Sequence, residues 1–158
     1  MERIKKNDPV AMWQMGTKHH GEGDYESAVE YWTKASGMGN APAHYELSCM
    51  YREGGGCVNK DMKKFIHHTE EAAIAGHPHA RHNLGTIEFG NGRIERAVKH
   101  WVIAANLGVD VSLENVRRFY TIGKASKEDY AAALRGYQAA LNATKSPKRE
   151  EAKEFLGY

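Results

Sequence analysis

The sequence predicts an all-α fold built from repeated helix pairs, and three observations predict it. Apolar residues recur at offsets of three, four and seven, the spacing of one helical stripe, and no stretch alternates with the period of two that a half-buried strand needs. One phrase returns along the chain: a small residue, then four positions later an apolar residue that is followed by Gly or Ser. It stands at Ala11/Met15-Gly16, Ala43/Leu47-Ser48 and Ala80/Leu84-Gly85, with a weaker copy at Ser112/Val116-Arg117. The starts at 11, 43, 80 and 112 are 32, 37 and 32 residues apart, a period of the helical-repeat class. A second phrase follows each first one and ends in a pair of small residues, the seam through which two helices approach closely.

Each element has its own justification. Asp8-Pro9 places a capping side chain before a proline suited to a first turn, which starts a helix over 9–20. Its mate over 25–37 carries Ala28, Tyr31-Trp32 and Ala35-Ser36 on one stripe and stops before Gly39. The second pair, 41–52 and 61–75, carries the seam Phe65, His68 and Ala72-Ala73 and stops at Gly76. Between its helices lies the one long interruption, Glu53 to Lys60, whose three glycines suit a loop with positive φ. The third pair, 79–89 and 93–107, repeats the seam as Ala97, His100-Trp101 and Ala104-Ala105 before Gly108. In the fourth, 111–122 and 127–143, Ser126 and Asp129 form a capping box, and the seam weakens to Ala132 and Ala139-Ala140. Ser146-Pro147 repeats the capping signal and predicts a separate terminal helix near 147–156, within a segment 146–158.

Composition bounds the function. A chain of 158 residues with 41% apolar side chains fills one domain, 1–158, with repeats at approximately 8–40, 41–77, 78–109 and 110–144. With 22 Lys and Arg against 20 Asp and Glu, the formal charge of +2 is too even for a nucleic-acid backbone or an anionic membrane, so neither is expected as a partner. Two cysteines are too few for a disulfide framework. No apolar run is long enough to cross a bilayer, and the opening MERIKKNDPV shows no secretory signal, so a reducing, cytoplasmic setting is expected.

Residues that could carry chemistry are few. His77, His79 and His82 are the most tempting set, since an i, i+3 spacing places two rings on one helix face. A metal, however, needs imidazoles that converge within about 2.0–2.1 Å of one ion. His77 and His79 fall in a turn and His82 begins a helix, so turn and packing roles are expected, with no metal site. Cys49 and Cys57 are eight apart and form no paired-cysteine motif. Gly54-Gly55-Gly56 lacks the Lys and Ser/Thr of a phosphate loop, and no nucleophile-elbow or zinc-protease motif occurs. No catalytic residue and no cofactor is expected.

The second repeat, through Ala43, Leu47, Tyr51, Gly54, Gly56, Val58, Asp61, Lys64, Ala72, Ala73 and Gly76, resembles the Sel-one-like repeat (SLR) family, a relative of tetratricopeptide repeats. The first and third share it through Ala28, Tyr31, Trp32, Lys34, Ala35 and Gly39 and through Ala97, Trp101, Ala104, Ala105 and Gly108. Cys57 is an extra loop residue, and Phe65 and His68-Thr69 depart from the usual Ala and aromatic pair. The resemblance implies a right-handed α-solenoid of about four stacked helix-turn-helix repeats plus a C-terminal capping helix. It also implies that first helices line a concave groove. That puts Trp13, Thr17, Tyr45, Cys49, Arg52, His82, Thr86, Glu114 and Arg118 toward the groove. The function implied is a non-enzymatic scaffold or adaptor that holds a peptide or domain of another protein. Two alternatives are a metal-binding or enzymatic module centred on His77, His79 and His82, and a structural spacer within a larger repeat protein.

Overall fold

The computed structural model describes residues 7–156; residues 1–6 of the opening segment and 157–158 of the expected terminal helix lie outside the described residues. Among the described residues the chain forms eight α-helices: α1 Pro9–Gly21, α2 Tyr25–Gly37, α3 Ala41–Glu53, α4 Met62–Ile74, α5 Pro78–Gly90, α6 Ile94–Asn106, α7 Asp110–Thr121 and α8 Lys127–Leu156. The only β pairing among them is an isolated bridge, Gly55 to Val58, inside the glycine loop. None of these helices is long and apolar enough to cross a membrane.

The caps form as the side chains dictate. Asp8 accepts from the Val10 N–H at 2.9 Å, Asn40 from Ala43 at 2.8 Å, and Asp61 from both Lys63 and Lys64. Ser126 and Asp129 bond each other reciprocally through their backbone N–H groups. Gly54, Gly55 and Gly56 carry φ of 70°, 101° and 59°, a run that side chains with a Cβ rarely tolerate.

One boundary differs from expectation. No separate helix starts at Ser146-Pro147: α8 runs unbroken for 30 residues with Pro147 inside it. Proline in a helix interior costs about 3 kcal/mol, because it removes an N–H and crowds the carbonyl four residues back. Ala143 and Lys145 on one side, and the Lys148-Arg149-Glu150-Glu151-Ala152 run on the other, are strong helix formers that carry the helix past it.

The chain divides into two compact units, one through Leu84 and the other from Gly85, so that α5 contributes to both. In the first unit α1 packs on α2, α2 on α3, and α3 on α4. Its core gathers Ala28, Trp32, Ala35, Ala43 and Leu47, with Met12, Trp13 and Tyr51 packed against them. In the second unit α6 packs on α7 and on α8, around Ala97, Val98, Trp101, Ala105, Val116 and Ala133.

The recurring Gly of the first phrase has a steric cause. A Cβ at Gly16 would lie 2.5 Å from the Trp32 ring, and one at Gly85 would lie 2.5 Å from the Trp101 ring. Each indole therefore lies against bare helix backbone. The second repeat solves the same packing by exchange. Where α2 and α6 have Ala28/Trp32 and Ala97/Trp101, α4 has Phe65/Thr69, all six of them buried, so the large ring moves back one turn. With Thr at the tryptophan position, Ser48 takes the place of the glycine and is fully buried.

Candidate protein-interaction surface

On the first unit, Tyr45, Cys49 and Arg52 fall at i, i+4 and i+7 and so share one face of α3. The Tyr45 ring stacks on His77, with centroids 4.2 Å apart and planes 15° from parallel, and His79 lies 6.2 Å away. Burial, with the neighbouring Cys49 thiol, pushes the Tyr45 phenol up to about 12, and burial also raises the Cys49 thiol. The same loss of water holds His77 down at about 4 and lowers His82. Arg52 bonds Glu53 at 3.0 Å and sits 5.9 Å over the Phe65 ring. Trp13 is half-buried against the α1–α2–α3 core, and Thr17 is exposed, with its hydroxyl donating to the Trp13 carbonyl at 3.0 Å.

The histidines are arranged for packing. His77 and His79 lie 6.1 Å apart between ring centroids, and among the described residues no group of three or more His, Cys, Asp or Glu side chains is placed to hold a metal ion. A tighter pair sits elsewhere. His44 Nδ1 and His68 Nδ1 are 3.0 Å apart, and Tyr51 stacks parallel to the His68 ring at 5.7 Å. Burial and the adjacent His44 hold His68 at about 4.

The second unit carries a cleft of about 290 Å³ lined by Thr86 and Phe89 of α5, Trp101 of α6, Asn115, Arg118 and Phe119 of α7, and Ile122 just beyond α7. Its aromatic wall is fixed by mutual packing: Phe119 meets Phe89 edge-on at 5.5 Å and lies 5.2 Å from Trp101. Phe89 remains 46% exposed and Ile122 65% exposed, so the wall faces water. Glu114 is exposed and takes both arms of Arg117, at 3.0 and 2.7 Å. Arg118 is exposed, and its carbonyl accepts from the Ile122 N–H at 3.2 Å; its guanidinium forms no hydrogen bond or salt bridge among the described residues, although its charge helps depress the Glu114 carboxyl.

Of the nine residues that sequence reading assigned to a groove, the cleft lining contains Thr86 and Arg118. Tyr45, Cys49 and Arg52 share the α3 face described above, whereas Glu114 lies one position away from the lining residue Asn115. Sequence reasoning missed Phe89, Asn115, Phe119 and Ile122. For the last three the signal was present as the i, i+3, i+4, i+7 spacing of Asn115, Arg118, Phe119 and Ile122, along α7 and its C-cap.

A protein-family model described as Sel1 repeat matches residues 9–40, 41–77 and 78–109. Among solved structures, c5321, a protective antigen of uropathogenic Escherichia coli strains displaying an SLR fold, superposes with a TM-score of 0.70 at 23% identity, over 84% of this chain and 31% of that one. A Sel1 repeat protein from Oxalobacter formigenes superposes with a TM-score of 0.69 at 27% identity, over 88% of this chain and 60% of that one. The chain thus spans less than a third of the first structure and three fifths of the second. No curated protein matches the sequence.

Proposed function

We propose, because the chain belongs to the Sel1 repeat family, whose members generally act in protein–protein interaction, that it is a non-catalytic scaffold whose first-helix faces receive a segment of another protein. The observation that carries this reading is the cleft of the second unit. There a rigid aromatic wall stands open to water beside an arginine that forms no salt bridge among the described residues. Aromatic residues and arginine are the types that dominate interface energetics, because each combines a large contact area with a directional polar group. Rigid helices hold these side chains in place before a ligand arrives, so binding mainly costs the ordering of the ligand. The α3 face of Tyr45, Cys49 and Arg52, with Trp13, Thr17 and His82, is proposed as a second wall of the same kind, on the first unit.

The test is selection from a displayed library of random peptides. Selected peptides should bind Phe89→Ser and Arg118→Glu at least about tenfold more weakly, a loss of about 1.4 kcal/mol, while Arg118→Glu, which removes no packed ring, melts like the parent chain. Peptides that bind the variants as well as the parent, or a library that yields none, would remove the assignment. A spacer role is favoured by one observation: the chain spans only part of each related structure. Under that reading the cleft binds nothing, which the same selection would show.

A further inference from the structure

The first half of α8 packs on α6 and α7, but from Asn142 to Phe155 every side chain that the structure describes is exposed. A helix end that packs on nothing is marginal in water, because most helical stability comes from burying one face. This end also contains Pro147. It nevertheless presents Phe155, 92% exposed, with Glu151 one turn before it and Lys148 about one turn before that, all on one face.

A matching row runs along α7 at the edge of the cleft. Glu114, Arg118 and Ile122 follow one another at successive turns along α7 and just past its end. Laid parallel, the two rows set Glu151 against Arg118 and Phe155 against Ile122, so the arginine without a salt bridge among the described residues meets its opposite and the apolar residues meet, while Lys148 falls beside Glu114, whose carboxylate already holds Arg117. The spans agree as well, at about 10.5 Å from 148 to 155 and about 12 Å from 114 to 122 at the helical rise of 1.5 Å per residue. We propose that two copies of this chain associate by exchanging these helix ends, each Phe155 entering the other copy's cleft beside Phe89 and Phe119. The proposal rests on the reading of that cleft as a protein receptor and names its occupant. Exchange is reciprocal, so the assembly closes as a two-fold dimer and leaves no open end to polymerise.

Sedimentation of the full chain tests it. The parent should dimerise, and Phe155→Ser should weaken the dimer at least about tenfold. Arg118→Glu alone and Glu151→Arg alone should each be monomeric, because like charges then face one another. An equimolar mixture of those two variants should restore a dimer, since every altered side chain then meets a partner of opposite sign. A parent that stays monomeric, a dimer indifferent to these substitutions, or a mixture that stays monomeric would overturn the proposal. If library-selected peptides still bind the cleft of a monomeric chain, only the self-association falls and the receptor reading stands.

Discussion

His68 is held between His44, whose Nδ1 lies 3.0 Å from its own, and the parallel face of Tyr51. One proton can bridge two such nitrogens, but a second would set two N–H donors against each other with no acceptor between them. Burial lowers His44, His68, His77 and His82 below the ordinary imidazole value of 6.5, His68 and His77 to about 4. The unfolded chain therefore takes up protons first as pH falls. The resulting stability is whole above 6.5, where these rings are neutral in both states, and is lost progressively as pH drops from 6.5 toward about 4. The carboxylates that partners hold low, Asp24, Glu30, Glu88 and Glu114, lose their contribution only further down, below ordinary carboxylate values of 3.8 to 4.5. Urea midpoints should thus be flat above 6.5 and fall through the imidazole window, and His44→Asn with His68→Gln should flatten part of that fall. A midpoint independent of pH down to carboxylate values would contradict the burial of these rings.

At the scale of a helix pair, the exchange of Ala/Trp for Phe/Thr shows how one packing problem accepts two solutions. Core substitutions that preserve volume are tolerated far better than those that overfill a site. Installing the α2 arrangement in α4 by Phe65→Ala and Thr69→Trp should destabilise the chain by about 1–3 kcal/mol, because the indole then meets the Ser48 side chain. Adding Ser48→Gly should recover most of that loss, as read by thermal melts; a triple variant no more stable than the double would refute the coupling. The pairs themselves were legible in the sequence, because caps, stripes and stop signals such as Asp8, Trp101 and Gly76 act locally. The continuity of α8 was not, since Ser146-Pro147 carries the same local signal whether a helix begins there or runs through. The cleft was half legible. Thr86 and Arg118 were placed through the repeat, but Phe89 and Ile122 were given no role, because only the packing of their neighbours decides that these apolar side chains face water.

For the whole molecule, a chain of helix pairs is stabilised by each pair and its nearest neighbours rather than by one central core. The two hydrophobic clusters, one on each unit, fit that description. Damage should therefore stay local. Gly16→Ala, which forces a Cβ into the Trp32 ring, should speed hydrogen exchange in α1, α2 and α3 by much more than in α6, α7 and α8. Equal acceleration everywhere would show a single cooperative block instead. The glycine loop carries a last consequence. Each of the first six helices is 13 residues long, while the turns inside the first and third pairs have 3 residues and the turn inside the second has 8. The five additional residues that stretch one period from 32 to 37 all reside in that turn, which makes it the natural splice point for a grafted epitope or reporter: cargo inserted there lengthens a connector and leaves every rod its original size.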